Sequence, residues 1–378
     1  MKAILAIDSF KGCLSSFQAE EAALRAFGDG EAIAIPVSDG GEGFSTVITD
    51  LLGGTRRRVR CTDPLGRRIE AEYGRIAGGK VAVIETAAAS GLCLLRAEER
   101  NPLLASSYGT GELIADALEE GAEEIWLGLG GSATCDGGTG MLQALGYRML
   151  TSGGILPAGR SVLGDIRKVD SSHRHKALAH CRITGYYDVS VPFYGAGGAA
   201  RMFAPQKGAG KEMVDALDDW MGRLCGVYSM FSGRDIRHVP GSGAAGGLGG
   251  ALRAFLGASM SPGIWHVLNL YGIGMELDTC DLVITGEGRA DAQTLRGKVP
   301  MGVLEYVRRY DQECGGHRRT KVILLAGSVS DREALIEAGF DEVIQVTPDG
   351  MPLEEALDPA VAAGNITSAL RAATSCPA

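Results

Sequence analysis

The sequence predicts an α/β protein of two domains: a Rossmann-like, three-layer domain with a parallel sheet, built from both chain ends, and an inserted α/β domain with a mixed sheet. Three observations predict it. Short apolar runs alternate with helical patterns at both ends. The middle shows short strands separated by turn signals. The length of 378 residues exceeds one typical domain. We expect domains at 1–55 with 275–378 and at 56–274, with the active site in the cleft between them.

The N-terminal elements read as strand, loop and helix. The apolar run at 3–7 predicts a strand that ends in the turn DSFKG at 8–12. The sequence Ser-Ser-Phe-Gln at 15–18 is typical of a capping box that opens a helix to about residue 27. A second strand is predicted over 32–37, followed by SDGGEG and another helix.

The middle of the chain is predicted to contain hairpins. Turn signals within 57–84 indicate antiparallel strands. A helix is predicted over about 111–120, followed by a strand at 124–127 and a glycine-rich turn. Only a weak strand is indicated at 236–239. Ser261 is predicted to be the N-cap of a helix, with Pro262 at its first position.

The C-terminal part returns to the alternating pattern. Strands are predicted at 282–285, 322–326 and 343–346. Helices are predicted around 299–311 and 331–338, the second opened by a capping box at 330–333. Alternation of this kind indicates a parallel sheet covered on both faces.

Composition excludes several classes of protein. Apolar residues make up 45% and charged residues 22%, which is the globular mixture and not that of a disordered chain. A net charge of −9 argues against broad binding to nucleic acid or to an anionic membrane. Nine cysteines without a CxxC pair support neither a zinc cluster nor a disulfide scaffold. The apolar run at 3–7 is too short for a signal peptide and no stretch approaches 18 apolar residues, so we expect a cytoplasmic protein.

Glycine is unusually abundant, at 56 of 378 residues. Five segments combine it with charged or hydroxyl residues, and glycine lets backbone N–H groups approach an anion closely. The segments are 8–12, 38–43, 128–140, 195–210 and 286–298. They indicate a phosphate-rich ligand such as a nucleotide; glycine for tight turns and close packing remains the alternative for any single loop.

The standard nucleotide motifs do not fit. Gly210-Lys211 lacks the pattern of a P-loop. The sequences at 241–246 and 128–133 match GxGxxG and GxGxxA, but neither has the acidic residue expected about 20 positions later. A dinucleotide dehydrogenase is therefore weakly supported, and the protein-kinase motifs HRD and DFG are absent from the sequence.

Charged residues within the glycine loops point to phosphoryl transfer. Carboxylates there are candidates to hold Mg²⁺ or to take a proton, and lysines to neutralise phosphate oxygens. A turn aspartate, a helix cap or a solvated lysine is the alternative for each one. The carboxylates are Asp39, Glu42, Asp136, Glu287 and Asp291, and the lysines are Lys11, Lys207 and Lys298.

Several motifs occur in one order along residues 1 to about 330. They are DSFKG at 8–12, SDGGEG at 38–43, DPLGR at 63–67, ASGL at 89–92, RNPL at 100–103, YGTGELI at 108–114, GGSAT with DGG at 130–138, PQKGA at 205–209, GSGAAGGLG at 241–249, DLVITGEG at 281–288 and D-x-QT-x-x-GK-x-P-x-GV at 291–303. In these the chain resembles the bacterial type I glycerate kinase family, which comprises ATP-dependent kinases of D-glycerate.

The resemblance implies phosphorylation of D-glycerate to 2-phosphoglycerate, with 3-phosphoglycerate as the lesser alternative, and ATP and Mg²⁺ as cofactors. The predicted catalytic residues are Asp188, which activates the acceptor hydroxyl, Lys11 and Lys207. Those predicted to bind D-glycerate are Asp8, Ser9, Asp39 and Glu42. Those predicted to bind nucleotide phosphates are Gly130, Gly131, Ser132, Asp136 and Lys298. The predicted metal ligands are Glu287 and Asp291.

The chain departs from the family pattern at Cys13, Cys135 and Val191, where the family usually has other residues, and the last replaces an asparagine. These departures bear on substrate preference. Two alternatives stay open: a kinase of another small hydroxy acid, and a nucleotide-binding regulator without catalysis. We expect small-molecule ligands and neither nucleic acid nor membrane as partners; the sequence leaves open whether the protein is a homo-oligomer.

Overall fold

The structure is a computed structural model, and it describes residues 2–10, 12–28, 31–38, 40–159, 163–292, 294–314 and 319–374. In chain order the strands are β1 (Ala3–Ile7), β2 (Ala32–Ala34), β3 (Thr55–Thr62), β4 (Arg68–Ile76), β5 (Val81–Glu85), β6 (Glu124–Gly128), β7 (Arg148–Thr151), β8 (Gly154–Ile155), β9 (Lys168–Asp170), β10 (Arg182–Tyr187), β11 (Ser259–Pro262), β12 (Leu282–Ala290), β13 (Lys321–Val329) and β14 (Glu342–Gln345).

The helices connect these strands. They are α1 (Ser16–Leu24), α2 (Phe44–Leu51), α3 (Ala87–Ser90), α4 (Tyr108–Glu119), α5 (Thr139–Ala144), α6 (Ala199–Phe203), α7 (Lys211–Ser232), α8 (Ala244–Phe255), α9 (Gly263–Leu270), α10 (Ile273–Leu277), α11 (Val299–Glu313), α12 (Arg332–Glu337), α13 (Leu353–Ala356) and α14 (Pro359–Thr374). Within the described ranges no helix combines the length and the apolarity that crossing a membrane requires.

Both chain ends build the first unit, Met1–Asp39 with Ile264–Ala378, which we call the terminal unit. Its sheet is parallel throughout, in the order β14-β13-β12-β1-β2. All five residues of β1 are buried, as expected for a strand covered on both faces. Helices α1 and α14 pack together, and α11 contacts β12 and β1. The predicted Rossmann-like α/β fold is confirmed.

The strand order of the terminal unit contains a reversal. From β1 the chain first adds β2 on one side and later β12, β13 and β14 on the other. In doubly wound sheets ligands bind outside the carboxyl ends of the strands at such a reversal. In this unit that position lies between the ends of β1 and β12.

The second unit, Gly40–Gly263, is called here the inserted unit. Its six-stranded sheet has the order β11-β10-β6-β5-β4-β3. Pairing is antiparallel from β3 to β5 and parallel from β5 to β11, so the predicted mixed sheet and hairpins are both present. Strands β7, β8 and β9 form a separate small antiparallel sheet.

The boundaries of the units lie closer to the N-terminus than the predicted divisions after residues 55 and 274. Helix α2 contacts β4 and β5, so its packing ties it to the inserted unit. At the other boundary, the indole of Trp265 donates to the carbonyl of Gly302 in α11, at 3.2 Å, and ties α9 to the terminal unit. Packing partners distant in sequence, and not a shift in composition, set these divisions.

The two predicted capping boxes have different outcomes. Ser15 caps α1: its hydroxyl accepts from the Gln18 N–H, and the Gln18 side chain accepts from the Ser15 N–H. The box predicted at 330–333 is wrong, because Asp331 takes the N-cap position with a φ of 58° and no side chain caps α12. The same sequence pattern therefore forms a cap at only one of these two places.

We expect Ser15→Ala to lower the free energy of unfolding by about 1 kcal/mol, the usual contribution of an N-cap hydroxyl. Ser330→Ala is the matched control, because no side chain caps the helix that follows it, and we expect a change of only a few tenths of a kcal/mol. Urea unfolding of both variants measures the difference. Equal losses in the two variants would contradict the assignment of Ser15 as a cap.

The predicted helix start at Ser261-Pro262 is wrong. Both residues end strand β11, and α9 begins at Gly263. Among the described strands, β11 lies at the edge of its sheet and pairs with β10. Proline is tolerated there because an edge strand does not need every backbone donor. Residues 236–239, where a weak strand is predicted, form no strand.

Candidate active site

Parallel strands of the inserted unit end together at the carboxyl end of its sheet. Glu85, the last residue of β5, is in register with Gly128, the last residue of β6, and Gly128 is in register with Tyr186 of β10. The chain leaves these strands into the segments that begin at Thr86, Leu129 and Asp188. This carboxyl end of the sheet therefore collects two segments in which the sequence places functional residues, after β6 and β10, and the segment that carries the ASGL motif.

The glycine loop after β6 is held by backbone hydrogen bonds. The Gly130 N–H donates to the carbonyl of Gly40 at 2.9 Å, so this predicted phosphate donor already has a protein acceptor. Gly131 has a φ of 72°, which favours glycine. Within the described ranges neither the Gly131 N–H nor the Ser132 N–H donates to another group. Of the predicted backbone donors, these two are the ones left for an anion.

Lys207 lies buried against this loop, with 3% of its surface exposed. Its ammonium donates to the Ser132 hydroxyl at 2.9 Å and to the Thr134 carbonyl at 2.7 Å. Burial lowers the pKa of Lys207, and Cys135, Asp136 and Asp188 act in the opposite direction. The structure thus brings two predicted residues, Lys207 and Ser132, into direct contact, and it fixes a buried amine at the loop.

Asp136, which is predicted to bind nucleotide phosphate, is bonded within its own loop and to Ser107. It is fully buried, and its carboxylate accepts from the N–H and the hydroxyl of Ser107, both at 2.8 Å. It also accepts from the N–H groups of Gly138 and Gly140. Because these four bonds use its oxygens, Asp136 anchors the loop from within.

Asp188 directly follows β10 and is partly exposed. Its carboxylate accepts from the Val189 N–H at 2.8 Å and interacts electrostatically with Lys207. A carboxylate near a buried ammonium, at the end of a parallel strand, is placed to accept a proton from a bound hydroxyl.

Glu42 has a carboxylate neighbour that the sequence analysis missed. Glu42 is exposed just before α2, and it interacts electrostatically with Glu85. Burial raises the pKa of Glu85, while N–H groups of Ser45 and Gly43 lower it; the Ser45 bond is 3.0 Å long. The sequence contains a signal for Glu85, because this acidic residue ends an apolar strand just before the ASGL motif.

The carboxyl ends of β1 and β12 carry the predicted residues of the terminal unit. The Asp8 N–H donates to the Gly286 carbonyl at 2.9 Å, and the Asp8 carboxylate accepts from the Ser9 N–H at 2.7 Å. Both residues therefore lie at the reversal of strand order. Two other predicted residues, Lys11 and Asp39, lie outside the described residues.

A second missed carboxyl group, Glu20, lies beside Asp8. Glu20 is buried on α1 and accepts from the Ile7 N–H at 3.2 Å. Burial raises its pKa well above the ordinary value, and the neighbouring Asp8 adds to the shift. Glu20 lies within an ordinary helical pattern, and nothing in that pattern indicates a buried carboxyl group beside Asp8.

Glu287 and Lys298 form an ion pair in the terminal unit, with 2.8 Å between the ammonium and the carboxylate. Glu287 also accepts from the Thr294 hydroxyl at 2.6 Å. Burial raises the pKa of Glu287, and Lys298 opposes that shift. The lysine predicted to bind phosphate thus has a carboxylate partner that phosphate would have to replace or share.

Asp291 completes the predicted metal pair. Its N–H donates to Thr294, and its carboxylate lies 3.2 Å from the Arg289 guanidinium. In the described part of the chain no group of three or more His, Cys, Asp or Glu side chains is arranged to hold a metal ion. Mg²⁺ in nucleotide sites is held by one or two carboxylates together with phosphates and water. Asp291 with Glu287 fits that smaller donor set.

The positions that depart from the family pattern differ in burial. Cys135 is fully buried in the core of the inserted unit, and burial raises the pKa of its thiol. Val191 is also buried and packs beside Gly243. Cys13 keeps partial exposure. Two of the three departures therefore concern packing.

A cavity of about 690 Å³ lies elsewhere in the inserted unit. Its lining includes Thr62, Leu65, Leu103, Ser106 and Tyr108. None of the predicted site residues that the structure describes contributes to it. The candidate residues are therefore identified by the chemistry at the carboxyl ends of the strands in each unit, and not by this cavity.

Comparisons with known proteins agree with the fold and the motifs. A family model described as "Glycerate kinase family" matches residues 3–376. Glycerate 2-kinase of Escherichia coli K12 is 41% identical over 362 residues, which cover 94% of this chain and 93% of that protein. Glycerate kinase of Halalkalibacterium halodurans is 41% identical over 360 residues, with coverage of 94% and 93%. A crystal structure from Salmonella typhimurium LT2, described as a "putative glycerate kinase 2", superposes with a TM-score of 0.75 at 38% identity and covers both chains fully.

Proposed function

Because the chain belongs to the glycerate kinase family, we propose that it catalyses the ATP-dependent phosphorylation of D-glycerate to 2-phosphoglycerate. The family makes the chain an enzyme, a glycerate kinase. ATP as the phosphoryl donor and the 2-hydroxyl as the acceptor are the finer parts of the proposal, and the E. coli relative named glycerate 2-kinase supports the latter.

The observation that carries the proposal is the environment of Lys207. Its ammonium is held on the loop after β6 by Ser132 and Thr134, and Asp188 lies within electrostatic range. Phosphoryl transfer needs positive charge near the phosphate oxygens and a group that takes the acceptor proton. Lys207 and Asp188 supply those two functions at the carboxyl end of the same sheet.

In the proposed reaction the acceptor hydroxyl oxygen forms a bond to the γ-phosphorus, and the bond from that phosphorus to the β–γ bridging oxygen breaks, releasing ADP. Asp188 takes the hydroxyl proton. Lys207 and the N–H groups of Gly131 and Ser132 receive phosphate oxygens. Binding of D-glycerate is assigned to Asp8, Ser9, Glu42 and Asp39. Asp39 and Lys11, the third proposed catalytic residue, lie outside the described residues.

Mg²⁺ is proposed as the cofactor, with Asp291 and Glu287 as its protein ligands. When bound, the ion neutralises phosphate oxygens and orients them for displacement. Lys298 pairs with Glu287 and is proposed to hold that carboxylate in position and to contact phosphate.

The direct test is an ADP-release assay with ATP and D-glycerate. Enolase without mutase is then added, because it dehydrates 2-phosphoglycerate and leaves 3-phosphoglycerate unchanged. We expect ADP in proportion to phosphoenolpyruvate. ADP without phosphoenolpyruvate would move the reaction to the 3-hydroxyl. Faster turnover of tartronate, lactate or hydroxypyruvate would favour a kinase of another hydroxy acid, and no ADP with any acid would favour a nucleotide-binding regulator.

Asp291→Asn is expected to raise the Mg²⁺ concentration for half-maximal activity by at least about tenfold, because metal affinity falls when a carboxylate donor loses its charge. Titration of Mg²⁺ at fixed ATP and D-glycerate measures this. Asp349→Asn, at an exposed position of the same unit, is the control and should titrate as wild type. Wild-type titration by the Asp291 variant would remove this residue from the metal site.

We also propose a cytoplasmic location. The eight cysteines in the described ranges are free thiols, which is typical of proteins in a reducing compartment.

A further inference from the structure

Arg100 is a partly buried cation, and none of the residues that the structure describes pairs with its guanidinium. It begins the RNPL motif and follows a 3₁₀ turn at Ala97–Glu99. Its Nε atom is inaccessible to solvent and has no hydrogen-bond acceptor among the residues that the structure describes. Within the described residues its guanidinium makes neither an ion pair nor a side-chain hydrogen bond. A buried donor without an acceptor is costly, and arginine cannot lose its charge to reduce that cost.

The carboxylates beside Arg100 in sequence are already engaged. Glu99 pairs with Arg67 at 2.8 Å and with Arg96 at 3.1 Å. Glu98 pairs with Arg96 at 3.2 Å. The carboxylates next to Arg100 in sequence therefore form their ion pairs with other arginines.

Arg237 is a second arginine with a buried Nε atom, and an aromatic ring lies beside its guanidinium. Its Nε atom is also buried without an acceptor, but its guanidinium lies over the Tyr194 ring, 4.4 Å from the centroid. The ring face stabilises a cation there. No aromatic ring has this relation to Arg100 in the described part of the chain, so its buried Nε atom is not offset in this way.

The segment that begins with Arg100 packs on the candidate site. Gly208, next to Lys207, fits against the Arg100 carbonyl so closely that a Cβ atom would clash with it. Five residues after Arg100, Ala105 shares a buried cluster with Ala133 of the glycine loop. The segment that begins with Arg100 thus contacts both the residue next to Lys207 and the loop that holds the Lys207 ammonium.

We propose that the Arg100 guanidinium binds an oxyanion group of the bound substrates, either the carboxylate of D-glycerate or a phosphate of ATP. A planar guanidinium matches both groups through paired N–H donors. The inference rests on the proposed function for the identity of these ligands. It adds to the site a binding residue that neither the lysines nor the backbone N–H groups replace.

The test compares Arg100→Gln with wild type in steady-state kinetics. Loss of a charge-assisted contact is expected to raise the KM of one substrate by about 10- to 100-fold. A rise for D-glycerate assigns Arg100 to the carboxylate, and a rise for ATP assigns it to phosphate. Arg100→Lys keeps the charge without the paired donors and should show a smaller rise. Added guanidinium ion should partly restore an Arg100→Ala variant.

Arg96→Gln is the matched control, because Arg96 lies one turn earlier and is exposed and paired with glutamates. Its KM values should equal those of wild type. Stabilisation against heat by D-glycerate alone or by ATP alone gives a second readout that needs no turnover, and Arg100→Gln should lose it for one ligand. KM values and ligand-induced stabilisation like those of wild type in Arg100→Gln would overturn the inference. A wild-type protein that makes no ADP would instead overturn the proposed function.

Discussion

Asp188→Asn is expected to lower kcat by about 10²- to 10⁴-fold, the usual contribution of general acid–base catalysis. Asparagine keeps the size and one acceptor oxygen, so the hydrogen bond from the Val189 N–H can persist. It cannot take a proton at neutral pH. We therefore expect the loss in kcat, with a KM for D-glycerate close to that of wild type.

The measurement is the rate of ADP release at saturating ATP and D-glycerate. Asp219→Asn, an exposed aspartate on α7, is the matched control and should retain wild-type kcat. The pH profile separates a base from a structural residue: kcat of wild type should fall at acidic pH through one ionisation that the variant lacks. An Asp188→Asn enzyme within threefold of wild type would assign proton transfer to another group, with Glu85 the next candidate in the inserted unit.

Lys207→Met is expected to lower kcat by about 10²- to 10³-fold, as when one preorganised donor to a developing negative charge is removed. Methionine fills a similar volume without the ammonium. The Ser132 hydroxyl and the Thr134 carbonyl both lose their bond to Lys207. A buried carbonyl left without a donor should also lower the free energy of unfolding by about 1–3 kcal/mol.

Two measurements keep these effects apart. Thermal unfolding reports the loss of stability, and kcat is measured well below the unfolding transition. Lys211→Met, at the exposed first residue of α7, is the control and should change neither quantity. A folded Lys207→Met enzyme with wild-type kcat would show that the lysine only holds the loop together. Loss of stability without loss of kcat would contradict the proposed phosphate contact in the same way.

The sequence was sufficient for features that depend on short stretches of chain. Short apolar runs alternating with helical patterns predicted the parallel sheet of the terminal unit, and turn signals predicted the hairpins β3–β5. The capping box at Ser15 formed as predicted because both partners lie within three residues. The same reasoning failed at 330–333, where the chain enters α12 with Asp331 in a left-handed conformation that no local pattern indicated.

The sequence by itself determined the family, the α/β class and the set of charged residues among which the site must be sought, because motifs and periodicity are carried by neighbouring residues. Only the tertiary structure decided how each charge is used. Lys207 meets Ser132 across 75 positions, while Asp136 is consumed by bonds within its own loop and to Ser107. Arg100 has no partner among the described residues, and its acidic neighbours in sequence pair with other arginines. Whether a charge is satisfied depends on atoms that folding brings together from distant segments, and that information is absent from any local pattern.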